Sequence, residues 1–407
     1  MIEQMFCFGK GCYTRAGPWG CSSAGRAPRS HRGGQGFESP HLHHVSGYHP
    51  TVLIAAFAVS AIGTVASLLL RILGADPTLT FGVAALTILA LAYLLGHATE
   101  QLGISAGPKI GGIMNATVGN IGEIIIAAFL ILDGQIDVVH ASITGSIIGN
   151  LLLVLGASLL VGGLKNGVQK YDQEVVGMNA ASLILATIGL IVPATFALIV
   201  GGGPETDPGD PAFFQIESLT VGVAILLLIT YGAQMYFFLT SPDSPSPEAE
   251  DEVAQWSWRR ALVILLAAAA ALTVTSEILV NALEPTVEAL GISELFIGII
   301  IIPLIGNLAE HVVGVTLAYK NKMDFSLITS IGSATQIALF ATPILVFFGL
   351  IVGNPLTLVF SPLEVVAVAV GVFIASYIAL DGRSNWVEGL QLMSVYLIVA
   401  IAFFYVT

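Results

Sequence analysis

LFIGIIIIPLIGNLAEHVVGVTLAY, residues 295–319, is an apolar run with a glutamate, Glu310, inside it. About 20 mostly apolar residues suffice for a helix to cross the hydrocarbon core of a bilayer. A carboxyl at that depth costs on the order of 3 kcal/mol or more, so it should face a polar cavity and have a partner. A second run, GIMNATVGNIGEIIIAAFLIL (residues 112–132), holds Glu123 in the same setting. Gly119-Asn120-Ile121-Gly122-Glu123 matches Gly306-Asn307-Leu308-Ala309-Glu310 at an offset of 187 positions. Gly145-Ser146 matches Gly332-Ser333 at the same offset, and EQLGIS (100–105) matches EALGIS (288–293) at an offset of 188. Three matches in one order, with a single-residue gap, indicate an internal repeat.

Composition agrees with a membrane setting for these runs. Only 10% of the 407 residues are charged, against roughly 25% in soluble domains, and 55% are hydrophobic. Mean hydropathy is +0.88. This excludes an ordinary soluble enzyme and a disordered chain. The formal net charge of -13 and the lack of a basic face exclude a nucleic-acid binder. The reading is an all-α polytopic membrane protein with about eleven transmembrane helices, near 51–73, 79–99, 111–132, 137–163, 177–200, 214–240, 258–282, 294–318, 327–350, 360–380 and 389–406. It comprises an extra first helix (51–73), a first five-helix repeat (79–240), an acidic cytoplasmic linker (241–257) and a second five-helix repeat (258–407). Five is odd, so the second unit enters the membrane from the opposite side. Such inverted repeats are the architecture of many secondary transporters, whose sites lie at the repeat interface near mid-membrane.

Basic residues orient the chain. With the N-terminus in the cytoplasm, Lys109, Lys165, Lys170, Arg259, Arg260, Lys320, Lys322 and Arg383 fall in or beside cytoplasmic connections, and only Arg71 falls outside. This positive-inside bias puts the C-terminus on the opposite side. The acidic linker could bind cytosolic calcium as a sensor, but a solvated connection is the plainer reading.

Residues 1–50 differ from the rest. They hold all three cysteines (Cys7, Cys12, Cys21) and five of the eight histidines, in a spacing that fits no zinc pattern. CSSAGRAPRSHRGGQGFESPHLHHV resembles a translated tRNA gene, and no Met occurs between Met5 and Met114. The expectation is a misplaced gene start or a disordered tail.

The candidate site collects two carboxylates with neutral oxygen groups. Asn120 and Asn307 precede the glutamates by three residues, on the same helical face. Gly119 and Gly306 let backbones approach or the helix unwind locally, and Pro303 loosens the second copy further. Ser146, Ser333 and Gln336 supply oxygens from the following spans. Oxygen-only ligation suits a hard cation such as calcium. Two desolvated carboxylates close together should also take up protons when the cation leaves. Calcium and protons then compete for the same oxygens, with Glu123 and Glu310 as the metal-binding pair. His311 is a candidate proton relay, and Glu100 and Glu288, at matching span ends, are candidate gates or rims. The same polar residue types also serve as interhelical hydrogen-bonding or packing residues in membranes.

GNIGEIIIA with GSIIGNLLLVLG, and PLIGNLAEHVVGVTLAYKNKMDFSL with GSATQIALF, resemble the calcium/proton exchangers (CAX) of the cation/calcium antiporter superfamily. The resemblance covers nearly all of the chain after about residue 51. It implies eleven spans in two inverted repeats, and calcium export or sequestration coupled to inward proton flow. It also implies that Glu123 and Glu310 are the essential glutamates, with Asn120, Asn307, Ser146, Ser333 and Gln336 at the family's polar positions. The sodium-coupled branch typically has a proline beside its repeat glutamates. Neither Glu123 nor Glu310 has one, which favours protons. Gly122 departs from the small residue, Ala or Thr, often found before the glutamate.

The expected activity is exchange of cytosolic calcium for protons by alternating access. A sodium/calcium exchanger and a passive cation channel are the alternatives. No enzyme activity is expected, since no nucleophile with its base and no nucleotide loop lies at membrane depth. Expected partners are calcium ions, protons and the lipid bilayer, with no nucleic acid and no cofactor. Homo-oligomerisation stays open. The expected location is the plasma membrane of a prokaryote.

Overall fold

In lipid every backbone N–H and C=O must be satisfied within the protein, so long apolar runs without strand alternation become helices. The computed structural model describes residues 50–106, 114, 117–204, 206, 209–240 and 254–406. The tail at 1–49, residues 107–110, residues 111–113, 115 and 116 of the third expected span, and residues 241–253 of the acidic linker lie outside the described residues. The first half contains α1 (Pro50–Ile72), α2 (Pro77–Ala106), α3 (Ile121–Leu132), α4 (Ile136–Asn166), strand β1 (Gln169–Lys170), α5 (Gln173–Val200) and α6 (Pro211–Thr240). The second contains α7 (Trp258–Asn281), α8 (Leu283–Leu290), α9 (Glu294–Gly306), α10 (Leu308–Tyr319), α11 (Met323–Val352), α12 (Pro362–Ala379), β2 (Arg383–Ser384) and α13 (Trp386–Tyr405).

Among the described residues nine helices are long and apolar enough to cross a membrane, or ten if α8 and α9, bent by 115°, count as one broken span. The eleven spans expected from the sequence are therefore not all continuous helices. The two that depart, 111–132 and 294–318, are the two with the buried glutamates. α3 starts only after Gly119-Asn120 and has 12 residues. The 294–318 segment is interrupted at Asn307, between α9 and α10. Asn120 (φ -88°, ψ 10°) and Asn307 (φ -104°, ψ 8°) both leave helical geometry for the bridge region. The first element of the second half matches the expected 258–282 span as one helix, α7, which is capped at Ala282 before α8 begins.

The halves share further irregularities. α4 widens into a π-turn at Gly149–Val154 and α11 does so at Ile337–Ala341. π-turns in otherwise regular helices often mark functional positions. α4 is the most enclosed of the nine spans, with 72% of its apolar window buried, against 17% for α1. Glycine lets α4 pack closely. A Cβ on Gly145 would lie 2.1 Å from the Ile299 carbonyl oxygen of α9 and 2.6 Å from Pro303 Cγ. Outward faces are apolar: Ile62, Leu226, Phe373 and Ile401 are all exposed.

A polar latch ties three connections together at one end of the helices. β1 pairs antiparallel with β2, Gln169 opposite Ser384 and Lys170 opposite Arg383. The Tyr171 hydroxyl donates to the Ile378 carbonyl at 2.5 Å, and Gln173 Nε2 donates to the Leu380 carbonyl at 2.6 Å. Gln169 Nε2 donates to the Ala318 carbonyl (3.0 Å) and to Asn321 Oδ1 (2.9 Å). Burial, and after it the neighbouring Asp381 charge, holds the Tyr171 phenol above its ordinary pKa. The latch thus joins the α4–α5 connection to the α10–α11 and α12–α13 connections.

Candidate functional site

The helix breaks decide where the site forms. Asparagine is a favoured N-cap because its side chain can accept the first free helix N–H groups. Asn120 and Asn307 stand at the N-caps of α3 and α10, yet neither side chain caps its own helix. Each crosses to another helix instead. Asn307 Nδ2 donates to Glu123 Oε1 at 2.6 Å and lies 3.4 Å from Ser146 Oγ. Asn120 Nδ2 donates to Gln336 Oε1 at 2.9 Å. Glu123 and Glu310 each fall in the first turn of their helix, at the positive end of its dipole, where a carboxylate is favoured.

The serines complete a paired arrangement. Ser146 Oγ of α4 donates to Glu123 Oε1, and Ser333 Oγ of α11 donates to Glu310 Oε2. Each bond spans 23 residues, so the same contact occurs once in each half. The backbones come close as well: a Cβ on Gly306 would lie 3.3 Å from Glu123 Cγ. Gly119 lies in the exposed turn before α3. Asn120, Asn307, Ser146 and Ser333 are all buried, and Glu123, Glu310 and Gln336 are partly buried.

Asn150 belongs to the same network although sequence reading does not single it out. It is fully buried, and its Nδ2 donates to Ser333 Oγ and to the Ser146 carbonyl, both at 3.1 Å. A hydrogen-bonded path therefore runs from Glu123 through Ser146, Asn150 and Ser333 to Glu310. Its sequence signal is an amide inside the apolar run GSIIGNLLLVLG. The repeat hides it, because the position 187 residues on is Ile337.

The donor set left over is all oxygen. Among the described residues, Glu123 Oε2, Asn120 Oδ1 and Asn150 Oδ1 are buried without a hydrogen-bond partner. A cavity of about 10 Å³ adjoins Glu123, Ser142 and Ser146, close to the space one water or bare ion occupies. No group of three or more His, Cys, Asp or Glu side chains converges among the described residues. Two carboxylates with neutral amides and hydroxyls can hold a hard cation while it passes.

The remaining candidates sit elsewhere. Glu100 Oε2 lies 3.3 Å from His97 Nδ1 near the end of α2, and Glu288 is exposed on α8. Neither is brought to the glutamate pair. His311 follows Glu310 directly and its buried Nε2 has no hydrogen-bond partner among the described residues.

Comparison with known proteins agrees with this geometry. The family model described as sodium/calcium exchanger protein matches residues 77–240 and 260–405. A protein of Aphanothece halophytica named Ca2+/H+ antiporter is 42% identical over 351 residues, which cover 81% of this chain and 91% of that protein. The Ca2+/H+ antiporter ChaA of Bacillus subtilis is 38% identical, with 86% of this chain and 98% of that one covered. The solved structure of native YfkE superposes with a TM-score of 0.73 at 36% identity, covering 86% of this chain and 99% of that chain. With its broken helices, its paired glutamates and these matches over most of its length, the chain belongs to the sodium/calcium exchanger protein family, where it groups with the proteins named Ca2+/H+ antiporters.

Proposed function

We propose that this protein is a secondary antiporter that exchanges cytosolic calcium for protons by alternating access, with Glu123 and Glu310 binding either ion in turn. The reading rests on one observation above all. Each glutamate opens a helix at a Gly-Asn break and accepts a hydrogen bond from a serine 23 residues on, and the halves are linked by Asn307 on Glu123. The names of the relatives point the same way.

Calcium entering from the cytoplasm displaces protons from the two carboxylates, whose two charges balance its own. Asn120, Asn307, Ser146, Ser333 and Gln336 orient the carboxylates and lend oxygens, with Gly119 and Gly306 giving the backbone room. After the site opens to the other side, the higher proton concentration there protonates the carboxylates and releases calcium. Asn307 and Ser146 both donate to Glu123 Oε1, which leaves Oε2 as the oxygen that takes the proton. His311 serves as a relay for those protons, and Glu100 and Glu288 attract cations at the rims. The chain moves ions and makes no covalent change.

Residues 79–240 and 258–407 act as inverted repeats joined by the linker 241–257, with 51–73 as an added helix. The N-terminus is cytoplasmic, the C-terminus is on the opposite side, and the membrane is the plasma membrane of a prokaryote. Calcium flux into proteoliposomes under imposed gradients tests the reading. A pH gradient alone should drive uphill uptake, and Glu123→Gln or Glu310→Gln should reduce it to the level of empty liposomes. Flux driven by a sodium gradient without a pH gradient would make it a sodium/calcium exchanger, and full transport by both variants would remove the glutamates from the site.

A further inference from the structure

A second buried carboxyl lies outside the glutamate pair. Glu364, in the first turn of α12, and His140, near the start of α4, are each 2% exposed. Glu364 Oε2 accepts the Ser361 N–H at 2.8 Å, Ser361 Oγ accepts the Glu364 N–H at 3.4 Å, and the Thr144 hydroxyl donates to Glu364 Oε1 at 3.4 Å. His140 Nε2 bonds the Thr357 carbonyl at 2.7 Å, and its ring lies 4.8 Å from that of Phe360. A carbonyl only accepts, so Nε2 carries a proton and Nδ1 is free to hold either a lone pair or a second proton.

Capping alone does not explain this burial. A capping-box glutamate contributes about 1 kcal/mol and does so equally well at a wet surface. Withdrawing a carboxylate and an imidazole from water costs several kcal/mol per ion. Among the described residues, His140 is the one ionisable side chain that interacts electrostatically with Glu364. Acidic groups near this end of α4 include Asp133 in the α3–α4 connection and Asp137 on α4 itself; Asp137 and Glu284 on α8 act on Glu294 of α9. On α6, Glu217 lies three residues before the buried Thr220, which accepts the Leu358 N–H at 3.1 Å.

The helix α4 connects this pair to the transport site. His140 and Thr144, one turn apart, meet the 353–361 connection and the start of α12, while Ser142 and Ser146, one turn apart on another face, border the cavity at Glu123. We propose that His140 and Glu364 form a second proton-binding site, separate from Glu123 and Glu310, which loads one proton from the outer side and sets the range of external pH over which the carrier runs. Loading attaches one proton to the carboxylate or to the ring nitrogen and breaks no other bond. The altered charge changes the α4–α12 contact on one face of the helix that presents Ser146 on another. The choice of side rests on the orientation given above.

His140→Gln and Glu364→Gln keep a hydrogen-bonding group and lose the titration. Calcium exchange is measured in vesicles of known orientation with the pH of each face varied separately. In each variant the midpoint of the outer-face profile should move by about 0.5 pH units or more, the size of a typical lost charge interaction. The double variant should move no further than the larger single change, because the pair acts as one unit. The inner-face profile and calcium affinity at fixed pH should stay as in the parent. Unchanged outer-face midpoints in both folded variants would overturn the proposal. A shift confined to the inner face would keep the site and reverse the orientation. Infrared difference spectra between acid and alkaline pH need no transport, so they test the site even if calcium exchange fails. A protonated-carboxyl band lost in Glu364→Gln supports the site, and identical spectra in parent and variant overturn it.

Discussion

At Asn307 a single amide does work in both repeats. It ends α9, starts α10, and donates to Glu123 in the other half at 2.6 Å. A hydrogen bond to a charged group contributes about 1.5–3 kcal/mol, and each 1.4 kcal/mol is a factor of ten in affinity. Asn307→Ala should therefore weaken calcium affinity by about tenfold or more in an equilibrium binding assay, with the chain still folded. Unchanged affinity would make the amide a packing residue. At this scale most of the site was legible. Glu123, Glu310, the two asparagines and the two serines recur at one spacing, and their polarity stands out against apolar runs. Asn150 was not legible, because its counterpart is Ile337 and an unrepeated amide is invisible to a repeat. Gln336, whose counterpart is Gly149, shows that the two halves of the site are not chemically equal. Glu364 was passed over because a carboxyl at a helix start usually belongs to the surface.

Helix length and continuity behaved differently. Nine of the spans were read from apolar length alone, with ends shifted by a few residues. The two glutamate spans broke, and their glycines and asparagines carried that information. Both residue types tolerate the bridge and turn conformations that an apolar run of Ile and Leu resists. The close approach of α4 to α9 depends on Gly145. A Cβ there meets backbone at 2.1 Å, which no rotamer change relieves. Gly145→Ala should cost on the order of 1–3 kcal/mol, read as a lower thermal midpoint in detergent. An unchanged midpoint would show that α9 shifts freely. The Tyr171 latch has its own signature in pH. Its phenol holds its proton more tightly folded than unfolded, so the associated stability is fully present below about pH 10. It is lost as pH rises above that value toward the folded pKa. Tyr171→Phe should lose about 1 kcal/mol at neutral pH, the worth of a typical hydrogen bond, and should flatten this part of the alkaline decline. Parallel alkaline curves for parent and variant would contradict the assignment.

For the whole molecule, orientation is the property that charge counting addressed and helix packing did not. If the basic connections are cytoplasmic, a cysteine replacing Asp133, between α3 and α4, should react with an impermeant thiol reagent added outside intact cells. One replacing Lys320, between α10 and α11, should react only after the membrane is opened. The reverse pattern would invert the topology. The sequence alone was enough for membrane residence, a duplicated unit and the paired carboxyls, since each of these is a matter of composition or spacing along one chain. The tertiary structure decided which groups meet. It sent Asn307 to Glu123 but Asn120 to Gln336, put Asn150 between the two serines, left Glu288 on the surface, and buried Glu364 beside His140. Most of those pairings join residues more than a hundred positions apart across different helices, and they depend on where each helix breaks and how closely glycine lets the next one pack.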